Sequence, residues 1–186
     1  AIPAIIAGIA EPLISLTDIS VIGNVHENPV EALAAAGIVG SFLSAIIWIV
    51  AQTKTAISAL VSQHLGANRL HAVKTLIPQA IYFNLIFSLI IYFTTAFFAE
   101  AIFRAYHAEG LILAYSEDYY KIRALGYPLT LVTFAIFGVF RGLQNTLWAM
   151  KCSITGAVVN VILDFALVYG IEGLVPPMHL KGAAYA

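Results

Sequence analysis

Apolar residues in this chain run in long blocks, separated by short clusters of polar and turn-forming residues. A helix rising 1.5 Å per residue needs about 20 residues to cross the hydrocarbon core of a bilayer. Five blocks meet that length, over residues 2–22, 33–61, 76–98, 122–140 and 153–169, and a sixth helix is expected to start near Gly182. Turn chemistry falls between them: Gly23-Asn24 and Asn28-Pro29, then Gly66-Ala67-Asn68, and last Pro176-Pro177. The connection over 99–121 is longer, and Glu117-Asp118-Tyr119-Tyr120 is expected to start a helix at the interface. The pattern predicts an all-α integral membrane domain with no soluble module.

Composition strengthens that expectation. The 186 residues are 61% hydrophobic and 10% charged, against about 25% charged in soluble domains. The net charge of −1 argues against nucleic acid or another polyanion as partner. Cys152 is the single cysteine, which excludes an internal disulfide and suits a small packing residue. The five histidines show no metal-ligand spacing, and there is no phosphate loop or serine-nucleophile motif. The chain opens on apolar sequence without a basic leader and closes on Lys181-Gly182-Ala183-Ala184-Tyr185-Ala186. It is therefore expected to be a piece of a longer membrane protein.

Basic residues suggest an orientation. The second connection carries Arg69 and Lys74 and the fourth Arg141 and Lys151, whereas the first holds Glu27 and Glu31. By the positive-inside rule the second and fourth connections and the N-terminal end are expected in the cytoplasm. Lys54, inside the second block, is expected to snorkel to that interface.

The candidate chemistry lies in acids placed where lipid-spanning helix is expected. A charge at mid-bilayer costs about 2.5–3.5 kcal/mol on insertion scales, so such residues usually face a cavity and handle an ion. In the first block Glu11 and Asp18 are seven residues apart on one face, with Ser15 between them. Pro3 and Pro12 remove backbone donors and permit a bend. The bland alternative for Asp18 is reach to the headgroups, and for Glu11 a structural hydrogen bond. In the fifth block Asn160 and Asp164 stack four residues apart, where interhelical glue is the competing explanation for the amide. Two carboxylates facing one cavity titrate as a coupled pair. They can carry a proton, or Na⁺ through the oxygens of Asp18, Asn160 and Asp164, and exchange it for cationic cargo. Asn84 and Ser88 suit packing, as do the small residues Gly37, Gly40, Ser41 and Ser44.

Several runs share a resemblance. Glu11-Pro12-Leu13 with Leu16-Thr17-Asp18-Ile19-Ser20-Val21-Ile22-Gly23 resembles the first helix of MATE (multidrug and toxic compound extrusion) transporters, especially the DinF-like branch. Leu33-Ala34-Ala35-Ala36-Gly37, Val61-Ser62-Gln63-His64-Leu65-Gly66-Ala67, Asn160-Val161-Ile162-Leu163-Asp164 and Lys181-Gly182-Ala183-Ala184 are similar to later family motifs, in order. The resemblance implies the N-terminal six-helix lobe of a twelve-helix transporter, with about five and a half helices here and the C-terminal lobe outside this chain. It implies an efflux antiporter, not an enzyme, that exports organic cations or amphipathic compounds in exchange for H⁺ or Na⁺. Asp18, Asn160 and Asp164 map onto the family's N-lobe cation site and Pro3 onto a helix-bending proline. Glu11, Ser15 and Thr17 are accessory candidates, and no organic cofactor is expected. Expected partners are drug-like or cationic small molecules and the bilayer, with the complete twelve-helix chain acting as a monomer in a bacterial inner membrane. A lipid-linked oligosaccharide flippase of the same superfamily is the main rival, disfavoured by taking Lys54 as the sole basic residue within the spans. An intramembrane enzyme or receptor subunit would need metal ligands or a soluble domain.

Overall fold

The computed structural model describes residues 16–24, 28–171 and 176–186. Its elements are helices: α1 (described over 16–22), α2 (Pro29–Val50), α3 (Gln52–Gly66), α4 (Leu70–Phe97), α5 (Ala99–Ala105), α6 (Gly110–Ala124), α7 (Tyr127–Gly142), α8 (Leu147–Val168) and α9 (His179–Tyr185). Three stretches among the described residues are long and apolar enough to cross a membrane: 29–66, Leu70–Phe97 and Leu147–Val168. The bent pair α6–α7 makes a fourth.

The expected boundaries shift in physically readable ways. The second block, expected over 33–61, is α2 and α3 in near-continuous succession, with Ala51 between them. The fourth block is not the single helix expected over 122–140. It breaks at Leu125-Gly126, where α6 and α7 meet at 44°. Pro128, in the first turn of α7, has no N–H to continue the α6 ladder. The helix expected to begin at Glu117 starts seven residues earlier, at Gly110.

Helix α4 shows how these elements are patterned. Its buried face is Val73, Ala80, Asn84 and Ser88, small or polar. Its exposed face carries Tyr82, Phe83, Ile86, Ile90, Phe93 and Phe97. Large apolar residues outside and small polar ones inside suit a helix whose solvent is lipid. The buried face is tied to α3, where Thr53 Oγ1 lies 3.0 Å from Asn84 Oδ1 while Asn84 Nδ2 donates to Ala80 O at 2.9 Å. The role of Asn84 is thus packing, as its spacing suggests.

Two cores result. Helices α3, α4 and α7 enclose Ile57, Val61, Val73, Ala80, Ala135 and Val139. The larger core joins α1, α2, α5, α6, α8 and α9 around Ile22, Val39, Phe103, Tyr120 and Val168. Phe42 of α2 packs edge-on against Phe103 and Tyr120 there, with centroids 5.9 and 5.5 Å away.

Close helix approach uses glycines other than the expected ones. A Cβ at Gly37 or Gly40 would meet nothing within 4 Å, so neither residue supports a tight contact among the described residues. On α7, a Cβ at Gly138 would lie 2.7 Å from Lys54 O, and one at Gly142 would lie 2.6 Å from Val61 Cβ. This Gly-x-x-x-Gly spacing lets α3 and α7 touch backbone to backbone. Gly142→Leu is expected to overpack that contact and lower stability by about 1–3 kcal/mol, read as the unfolding midpoint in detergent. Lys54, at the same contact, sets its ammonium 5.1 Å from the centre of the Phe134 ring.

Candidate functional site

The larger core places α1, α6 and α8 side by side, and this brings the chemistry-bearing side chains together. Val21 and Ile22 anchor α1 in that core. Tyr169, just past α8, donates through its hydroxyl to Val21 O at 3.1 Å. Tyr169→Phe removes one hydrogen bond and is expected to cost about 1 kcal/mol, checked by the same unfolding measurement. Gly182 of α9 presses on α8, since a Cβ there would lie 2.6 Å from Leu167 O. The C-terminal end of α8 is thereby held by α1 through Tyr169 and by α9 through Gly182.

Asp18 on α1 and Asp164 on α8 are both buried, Asp164 completely. They lie close enough to act on one another directly. Between α1 and α6 runs an ion pair that the spacing of acids alone does not reveal. Arg123 Nη1 donates to Asp18 Oδ2 at 2.9 Å and to Tyr119 Oη at 2.9 Å, one turn back on α6. The guanidinium carbon sits 5.6 Å from the centre of the Tyr119 ring. Arg123 also acts electrostatically on Asp164.

The acceptors left over define what the cluster can hold. Among the described residues, Asp18 Oδ1, both carboxylate oxygens of Asp164 and Asn160 Oδ1 are buried without a hydrogen-bond donor. Buried polar atoms are almost always paired, so a group of buried acceptors without donors is chemically suited to a proton or a cation. The formal charge is −1, from two carboxylates and one guanidinium. One proton or one monovalent cation brings it to neutrality. Asn160 lies one turn before Asp164 on α8 and offers a neutral oxygen beside the charged ones. Thr17, next to Asp18, has interactions of its own. Groups of three or more His, Cys, Asp or Glu able to hold a metal ion do not occur among the described residues.

A protein-family model described as MatE matches residues 3–166, most of the chain. The chain belongs to the MatE family. Within it, the chain is 27% identical over 124 residues to the multidrug export protein MepA of Staphylococcus saprophyticus, covering 67% of this chain and 26% of that one. It is 36% identical over 66 residues to Protein DETOXIFICATION 43 of Arabidopsis thaliana, covering 33% of this chain and 12% of the other. A solved MATE transporter in the bent conformation superposes with a TM-score of 0.89 at 22% identity, covering all of this chain and 40% of the other. That likeness establishes the MatE fold. The chain therefore spans well under half the length of these relatives.

The expected site residues fall partly inside and partly outside the described part of the chain. Asp18 and Asp164 share one buried cluster, with Asn160 a turn away. Glu11, Ser15, Pro3 and Pro12 lie outside the described residues. Arg123 and Tyr119 also belong to the cluster, and the spacing of the acids does not point to them. The premise that Lys54 is the sole basic residue in the spans also fails, because Arg123 stands at the start of the fourth block. The signal that could have found it is position: a guanidinium one residue into an apolar block, one helical turn after a tyrosine.

Proposed function

We propose that this chain is part of the N-terminal lobe of a secondary active multidrug efflux antiporter. In this reading organic cations or amphipathic compounds leave the cell in exchange for H⁺ or Na⁺ taken up at Asp18 and Asp164, with Asn160 as a neutral ligand. The observation that carries it is the buried pairing of two carboxylates from separate helices, with acceptor oxygens that lack donors among the described residues. The exchange follows from charge. Binding of the coupling ion neutralises the cluster and lets α1 pack more closely against α8, a movement that expels cargo. Its departure restores the negative charge and the affinity for the next cation. The names of relatives such as MepA support multidrug substrates.

The flippase reading gains a basic residue in Arg123, but that guanidinium is engaged by Asp18 and the cluster remains net negative. An anionic lipid headgroup would meet repulsion there. The test is substrate efflux from vesicles holding the complete transporter, with proton and sodium gradients imposed separately. Efflux driven by one gradient is expected. Transport of a lipid-linked sugar with no response to either gradient would overturn the proposal.

A further inference from the structure

We propose that Arg123 is a built-in counter-ion that occupies Asp18, so that the coupling cation binds through Asp164 and the site exchanges a single charge per cycle. The inference rests on the antiporter reading and assigns a positioning role within the same site. Three observations carry it.

The first is geometry. Arg123 lies two residues before the α6–α7 break, and its own carbonyl accepts the Gly126 N–H at 3.0 Å. That turn fixes the base of the side chain, while Tyr119 Oη and Asp18 Oδ2 hold its tip. The second is selectivity within the cluster. The guanidinium satisfies one oxygen of Asp18, while both oxygens of Asp164 have no donor among the described residues. The third is chemistry. Arg stays charged at every physiological pH, so its contribution is permanent and only the second carboxylate is left to exchange.

The neighbouring charges do not compete for this role. On α6 and α9, Asp118 and Lys181 pair with each other at 3.0 Å, and on α5 Arg104 pairs with Glu100 at 2.8 Å. Lys121 is held by Glu117 at 2.8 Å on the exposed side of α6. The titratable and charged groups that meet at the cluster are Asp18, Asp164, Tyr119 and Arg123.

The test titrates the complete transporter in detergent with Na⁺ and, separately, with protons, following the ion-induced rise in melting temperature. For Arg123→Gln the half-effective ion concentration is expected to fall by at least about tenfold, because a positive charge beside the site is gone. Asp18→Asn is expected to abolish the ion response, since the freed guanidinium turns to Asp164. The double variant Asp18→Asn with Arg123→Gln is expected to regain the response, because Asp164 again stands alone. A merely structural role for Arg123 predicts weaker or unchanged ion binding in Arg123→Gln, and that result overturns the proposal. If Arg123→Gln does not fold, the double variant decides: an ion response supports the proposal and silence overturns it. A wild-type ion response in Asp164→Asn would instead overturn the antiporter site itself.

Discussion

Asp164→Asn is expected to leave a folded, membrane-inserted transporter whose efflux no longer responds to the ion gradient. Asp164 is fully buried, and its two oxygens meet no donor among the described residues. The change to an amide keeps the shape and removes the charge. The remaining cluster, Asp18 with Arg123, is already neutral, so no coupling ion is attracted. Coupling between two ligands is typically worth 1–3 kcal/mol, or about 5–150-fold in affinity. The stimulation of efflux by the driving gradient should fall to none. Efflux rates in vesicles, measured with and without the gradient, read the ratio directly. The amide also relieves a buried, uncompensated charge, so the thermal midpoint should hold or rise. Loss of coupling with retained stability separates a functional role from a structural one.

Asp18→Asn should behave differently, and the contrast is the second large effect. Asp18 is the partner of a guanidinium that is mostly buried between α1 and α6. Removing one member of a buried ion pair costs about 3–5 kcal/mol, because the other charge is left uncompensated. Part of that loss is expected to be recovered, since Arg123 still feels the nearby carboxylate of Asp164. Asp18→Asn is therefore expected to lose both ion coupling and stability, by an amount below the full range. Adding Arg123→Gln should return stability toward the starting protein, since no unpaired guanidinium remains. A double-mutant cycle on unfolding free energies measures the coupling between the two residues. Additive losses would show that the 2.9 Å contact contributes nothing.

Much of this arrangement is legible along the chain, and the parts that are not have physical reasons. Asp18 and Asp164 stand out because a carboxylate in an apolar block is costly and therefore rare. The i, i+4 stacking of Asn160 on Asp164 follows from helical geometry alone. Arg123 does not stand out in the same way. It sits beside Lys121 at the edge of an apolar block, where a basic residue is ordinarily taken for an interfacial anchor. The structure instead puts Arg123 on α6, ahead of the 44° break, where it meets Asp18 of α1. Tyr127-Pro128 hints at the break, yet proline in a first helical turn is also compatible with a straight continuation after a loop. The glycines show the same limit. Gly138 and Gly142 have a recognisable spacing, but Gly37 and Gly40 look just as suitable until the neighbours are known. Residue type announces that helices can approach closely, whereas tertiary packing chooses which do.

The most direct measurement counts the positive charges displaced when substrate binds to the purified, complete transporter in weakly buffered solution, using a pH indicator or a sodium-selective electrode. The account predicts release of a single charge from the wild type that disappears in Asp164→Asn. Undiminished release from that variant would contradict it.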